Sequence, residues 1–204
     1  MGEIPIPLLI VDNSPTSDTK SMILPRNVEA VCYPENLGVP ASWNMGIDRG
    51  AKWTLIISAS MRFGGRFADF IEGASKRASA YGLNPRMAMH LYVIGRAMVD
   101  EIGKFDIVFY PSYWDDTDGF RRMIRAGITG CGTSELPYYH PEYVTCIGDA
   151  VALRSGILKV DFQRNLDKYK RKWGGEPTQE TFDWPYNNPN LSLSFTGEPP
   201  EGIA

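Results

Sequence analysis

The sequence predicts an α/β fold, a mostly parallel sheet flanked by helices on both faces. Three observations carry this expectation. Short apolar runs alternate with stretches of helical periodicity. The run Trp53-Thr54-Leu55-Ile56-Ile57 is apolar nearly throughout, as central parallel strands are. Polar clusters stand directly after the runs, and such sheets bind ligands beyond the carboxyl ends of their strands.

The elements follow in order. Ile6–Val11 reads as a buried strand halted by the turn cluster Asp12-Asn13-Ser14-Pro15. Val28–Tyr33 alternates and reads as a second strand. Pro40 opens a short helix to Ala51, at a position where its missing N–H costs nothing. Trp53–Ile57 is the third strand. Phe67, Phe70, Ile71 and Ala74 share one face of an expected helix over Arg66–Tyr81. A strand near Met87–Val93, a helix near Ala97–Ile102 and an apolar patch at Ile107–Phe109 come next. Asp118–Ala126 reads as a helix ended by Gly127, and Val160–Trp173 as the last helix. The division expected is a catalytic-type domain over residues 1–173 and an extended, acidic, Pro-rich tail over 174–204. Phe182, Trp184, Tyr186, Leu191, Leu193 and Phe195 predict that this tail packs down, since a free linker would not carry them.

Composition removes several classes. With 204 residues and 43% hydrophobic content, the chain can bury a core without disulfides or structural metal. No apolar run reaches the roughly 20 residues of a membrane helix. The first residues, Met1-Gly2-Glu3-Ile4-Pro5, lack a basic flank and an apolar signal core. Three scattered cysteines, Cys32, Cys131 and Cys146, favour a reducing compartment, so a cytoplasmic location is expected. The net charge of −3 divides into −5 over residues 174–204 and +2 over the rest. The basic stretch Lys159–Lys172 fits a solvated helix face or, alternatively, a site for a phosphorylated ligand. The chain is not basic enough for a nucleic-acid footprint.

Asp115-Asp116-Thr117-Asp118 is the strongest local feature. Like charges this close persist where a metal, a cation or a proton transfer uses them, or where Asp116 or Asp118 caps a helix. Capping does not require the adjacent Tyr113 and Trp114, rings of the kind that form platforms for sugars or bases.

Four ordered motifs span more than half of the chain. Ile10-Val11-Asp12-Asn13-Ser14 is followed by Asn36-Leu37-Gly38 with Asn44-Met45-Gly46-Ile47. Then come Ile102-Gly103-Lys104-Phe105-Asp106 and Asp115-Asp116-Thr117-Asp118 with Arg121 or Arg122. Together they resemble glycosyltransferase family 2, the inverting nucleotide-sugar enzymes. Lys172-Trp173-Gly174-Gly175, Phe182 and Pro185-Tyr186-Asn187 resemble the last segment of its short bacterial and phage members. The resemblance implies a GT-A-like, Rossmann-like domain and transfer of a sugar from a nucleoside diphosphate donor, UDP favoured, to a glycan, protein or lipid hydroxyl. It implies Asp116 as general base and Asp115, Trp114 and His90 around the acceptor. Asp12, Asn13, Asn36, Gly38, Asn44, Ser58, Ser60 and Arg62 fall to the donor site, although Gly38 fits a plain turn equally well.

Two departures from the pattern bear on the donor. The family places D-x-D after the strand equivalent to Trp53–Ile57, where it holds Mg²⁺ or Mn²⁺ against the diphosphate. Ser58-Ala59-Ser60 stands there instead, and hydroxyls replace carboxylates poorly around a hard cation. Either Ser60 and a late histidine, His140, take part in holding the metal, or Arg62 neutralises the diphosphate by forked hydrogen bonds. Both Arg62 and His140 also admit ordinary structural roles. The second departure is that the strand preceding "V-D-N-S" in the family has no counterpart ahead of Leu8, so the pocket is expected to be incomplete, rebuilt, or partly supplied by the tail or a second subunit. The competing expectation is a catalytically idle binding module on a degenerate GT-A fold. A sugar nucleotidyltransferase is disfavoured, because no Gly-rich phosphate loop followed by Lys is present.

Overall fold

The computed structural model describes residues 6–14, 16–58, 61–63, 66–83, 91–128, 138–139 and 159–202. Its architecture is mixed α/β. Strand β1 (Leu8–Asp12) pairs in parallel with β2 (Val28–Cys32), in register from Leu8 opposite Val28 to Asp12 opposite Cys32. Helix α1 (Val39–Ile47) follows, with Pro in its first turn. Strand β3 is Trp53–Ile57, β4 is the short Arg62–Phe63, and α2 is Phe67–Arg77. After β5 (Gly82–Leu83) and β6 (Leu91–Gly95) come α3 (Arg96–Ile102) and a 3₁₀ turn at Ile107–Phe109. Helix α4 is Asp115–Arg125, β7 is Tyr138–Tyr139, and α5 is Lys159–Trp173.

The sheet corrects the mostly parallel expectation. β6 lies between β3 and β5 and is antiparallel to both, and β4 pairs antiparallel with β7. Among the described residues only β1 and β2 are parallel. The physical reason is that an apolar run reports burial on two faces and carries no information on direction. All five residues of β6 are buried. Tyr92 and Ile94 point to one face, where they meet Ile47 of α1, Met98 and Ile102 of α3, and Met123 of α4. Leu91 and Val93 point to the other face and meet Phe70 and Ala74 of α2. The period-2 alternation of side chains thus places helices on both sides of the sheet.

Two helical expectations also change. Helix α4 starts at Asp115, three residues earlier than predicted, and Trp114 occupies its N-cap with no side-chain cap. Neither Asp116 nor Asp118 is a cap; both lie in the first turn, where carboxylates complement the helix dipole. The basic face of α5 is not uniformly solvated: Lys172 is fully buried. It pairs at 2.8 Å with both Asp106 and Asp118.

Residues 174–202 contain no α-helix and lie against α4 and α5. Phe182 N donates to Trp173 O at 3.0 Å, and Gly197 N donates to Asp106 Oδ1 at 2.9 Å. The acidic residues of this segment meet the basic ones of the helices: Lys170–Glu176, Arg125–Asp183 and Arg171–Glu198 are ion pairs. Gly103 lets the segment approach closely, because a Cβ there would stand 2.9 Å from Ser194 O and φ is +77°.

Candidate active site

The first corner of the site lies at the carboxyl ends of β1 and β2. Asp12 ends β1, and its two carboxylate oxygens fold the following loop around themselves. Oδ1 accepts from Ser14 N at 2.9 Å, and Oδ2 accepts from Thr19 N at 2.8 Å and Thr19 Oγ1 at 2.7 Å. The hydrogen bonds from the Ser14 side chain and the Thr19 backbone hold this carboxyl well below the usual range. Asn13 reaches in the other direction. Its Oδ1 accepts from Leu37 N at 3.1 Å and its Nδ2 donates to Ser42 Oγ at 2.8 Å. Asn36 Oδ1 accepts from Gly38 N at 2.8 Å, and Ser42 Oγ donates to Gly38 O at 2.7 Å. Asp12, Asn13, Asn36 and Gly38 are therefore brought together by the backbone they bind.

Gly38 then joins this corner to the acidic segment. Val39 N donates to Pro111 O at 2.7 Å. A Cβ on Gly38 would stand 2.8 Å from Tyr110 Cδ2 and 2.9 Å from Pro111 O, and its φ of +80° suits only glycine well. Glycine is thus required here by the close approach as well as by the turn. Asn44, one turn into α1, is buried and bonds the Phe105 backbone twice. Nδ2 donates to Phe105 O at 2.8 Å, and Oδ1 accepts from Phe105 N at 2.9 Å. Asn44 thereby ties the second motif to the third.

The loop from Tyr110 to Trp114 leads into the acids. Tyr113 and Trp114 are consecutive non-glycine residues at positive φ, +73° and +71°. Each such residue costs on the order of 1 kcal/mol, so the surroundings must enforce the conformation. Helix α5 supplies the enforcement. Asn165, fully buried, donates from Nδ2 to Phe109 O at 2.8 Å, Tyr110 O at 3.2 Å and Ser112 O at 2.8 Å. Lys168 Nζ donates to Val108 O at 2.6 Å and Arg164 to Tyr110 O at 2.9 Å. Trp114 donates from Nε1 to Phe162 O at 3.0 Å and packs on the Phe162 and Tyr169 rings. Its ring is half-buried, and the contacts the structure gives it are with α5.

The four positions of the acidic cluster have three different environments. Asp118 and Arg122 form a fully buried pair at 2.8 Å, with Trp173 Nε1 donating to Asp118 Oδ1 at 2.9 Å. Burial alone would raise the Asp118 carboxyl, but Arg122 and Lys172 together hold it below the ordinary value. Arg122 also donates to Ile102 O and, at 2.9 Å, to Lys104 O, closing the end of α3. Asp115 is buried with Oδ2 lacking a hydrogen-bond partner among the described residues. Burial first, and then the charge of Asp116, pushes its carboxyl well above the usual range. Asp116 is half-buried; burial raises it as well, against hydrogen bonds from Thr117 N at 2.7 Å and Thr117 Oγ1 at 3.3 Å. The environments thus separate the three acids: two cations hold the Asp118 carboxyl down, while burial raises those of Asp115 and Asp116.

The remaining candidates follow β3 or lie outside the described residues. Ser58 follows β3, and its carbonyl accepts from Met61 N at 3.0 Å. The Arg62 backbone pairs with Tyr139 across β4 and β7. Ser60, His90 and His140 lie outside the described residues. Among the described residues no group of three or more His, Cys, Asp or Glu side chains gathers where it would hold a cation. Ser58 offers a neutral hydroxyl after β3, and a hard cation such as Mg²⁺ or Mn²⁺ binds hydroxyls less well than carboxylates.

Four residues that hold the candidate site were given no role from the sequence, although Asp106 and Lys172 stand in its quoted motifs: Asp106, Phe162, Asn165 and Lys172. Asn165 and Lys172 lay in a helix whose charged pattern reads as a surface. A weak signal existed, because Phe162, Asn165, Tyr169 and Trp173 recur at helical spacing with Lys172 beside them. Comparison of the chain with protein families, with characterised proteins and with solved structures finds no match in any of the three.

Proposed function

We propose that the chain is an inverting glycosyltransferase, of a GT-A-like kind resembling family 2, that moves a sugar from a nucleoside diphosphate donor to an acceptor hydroxyl. The observation that carries the reading is the junction at Gly38. There the Asp12–Asn13 and Asn36–Gly38 segments abut the strained loop that delivers Asp115 and Asp116. Motifs dozens of residues apart are thus joined by direct contacts.

In the proposed step, Asp116 accepts the acceptor O–H proton while that oxygen bonds to the anomeric carbon. The bond from this carbon to the diphosphate oxygen breaks on the opposite face, and its electron pair leaves with the nucleotide. A half-buried carboxyl raised toward neutrality suits the base, since it takes a proton more readily than a solvated carboxylate. Asp115, its carboxyl raised by burial, stands beside Asp116 and orients the acceptor in this reading. Asp118 does not enter the step, because Arg122, Lys172 and Trp173 occupy it.

Transfer and donor hydrolysis, measured across UDP-, GDP- and dTDP-sugars with and without Mn²⁺, test the reading. Asp116→Asn is expected to lower kcat by at least about a hundredfold and to leave the thermal shift caused by the nucleoside diphosphate unchanged. Wild-type-like turnover in that variant removes Asp116 as base. The neutral Ser58 after β3 favours a second reading, a binding module without turnover. A thermal shift with a nucleoside diphosphate, but no hydrolysis or transfer from any donor, would select it.

A further inference from the structure

The loop after the 3₁₀ turn at Asp18–Ser21 presents its apolar side chains to solvent. Ile23 is completely exposed, at 101%, and Met22 is 57% exposed. Leu24 beside them is half-buried, and exposed Lys20 and Arg26 flank the group. Among the described residues the other large exposed apolar side chains, Tyr81, Ile107, Tyr110, Ile124 and Trp184, are none of them consecutive in the chain. Single exposed apolar side chains are ordinary; here two consecutive ones stand between two exposed cations.

The loop is held at both ends. Met22 N donates to Thr19 O at 3.1 Å and Val28 N donates to Pro25 O at 3.0 Å. Thr19 is itself bound to Asp12 at the end of β1. The apex therefore projects from a fixed base. Its Ile23 side chain is fully exposed, residues 20–26 include no aromatic ring and cations stand at both margins, so a fluid apolar layer beneath anionic headgroups matches it better than a shaped protein groove. The acidic segment of a second copy is a poor match, since four of its five acids, Glu176, Glu180, Asp183 and Glu198, are already paired within the chain.

We propose that Met22–Pro25 is a membrane-contact loop: Met22, Ile23 and Leu24 enter the interfacial layer of an anionic bilayer while Lys20 and Arg26 meet lipid phosphates. The surface goes beyond the proposed transfer chemistry and does not depend on it. No helix among the described residues is long and apolar enough to cross a membrane, so the contact is peripheral and reversible.

Flotation of the full chain with vesicles decides the matter without any activity measurement. Binding is expected to phosphatidylcholine vesicles containing phosphatidylglycerol, to weaken as salt screens Lys20 and Arg26, and to be slight with phosphatidylcholine alone. Met22→Asp with Ile23→Asp should lower partitioning about tenfold or more, and Lys20→Glu with Arg26→Glu should lower it while leaving the thermal midpoint near wild type. Absence of flotation with anionic vesicles overturns the proposal. So does flotation that survives the double aspartate variant, which would locate the contact elsewhere. A dimer in sedimentation that Ile23→Asp dissociates would assign the surface to a second copy instead.

Discussion

Asp115 shows most directly what a single residue contributes at a cost to the fold. Its carboxyl is buried beside Asp116, one oxygen lacks a partner, and burial raises it well above its ordinary range. In the unfolded chain it ionises near pH 4. Between that value and its higher folded value the native state binds the extra proton, so stability falls as pH rises through the window. Asp115→Asn removes the ionisation with little change of shape. Its thermal midpoint should match wild type near pH 4 and exceed it progressively toward pH 8, while transfer activity declines. A constant difference across that range would mean that the carboxyl ionises normally and is not held for chemistry. Asp12 behaves in the opposite sense: its lowered carboxyl stabilises the native state above pH 4 and loses this contribution only in strong acid.

At the scale of elements, α5 acts as the jig for the loop before the acids. Asn165 serves three carbonyls of that loop, and leaving such groups unsatisfied costs about 1–3 kcal/mol each before relaxation. Asn165→Leu should therefore destabilise the protein by about 2–4 kcal/mol. Hydrogen exchange should lose protection first across residues 109–116, because two residues there sit at positive φ and return to ordinary backbone once released. Uniform loss over the whole chain would show that Asn165 is merely a core residue. The same helix marks the limit of what the sequence discloses. Trp53–Ile57 and Val28–Cys32 were legible because alternation and apolar runs are local signals, as are the early proline of α1 and the apolar spacing of α2. The early start of α4 was not, since an αL tryptophan as N-cap has no compositional signature. Nor was the antiparallel direction of β6, which depends on pairing across about 40 residues. The acids and the Asn36–Gly38 run were found from the sequence; their meeting through Val39 and Pro111 is a tertiary fact.

For the whole molecule, the buried cluster of Asp106, Asp118, Arg122 and Lys172 is the common fastening. Two carboxylates and two cations lie at 0–1% exposure. They join the turn before Ile107, helices α4 and α5, the end of α3 through Ile102 and Lys104, and the C-terminal segment through Gly197. The charges balance only together, and removing one partner of a buried pair leaves an uncompensated ion. Lys172→Met should cost about 3–5 kcal/mol in urea unfolding. Asp106→Asn retains an acceptor for Val108 N and Gly197 N, so adding it to Lys172→Met should return part of the loss, giving a coupling of about 1–3 kcal/mol. Additive losses would mean that Lys172 acts through Asp118 alone. Coupled losses would establish that the C-terminal segment, α5 and the acid-bearing helix unfold as one unit. The position of Asp116 would then depend on residues some 80 positions later in the chain.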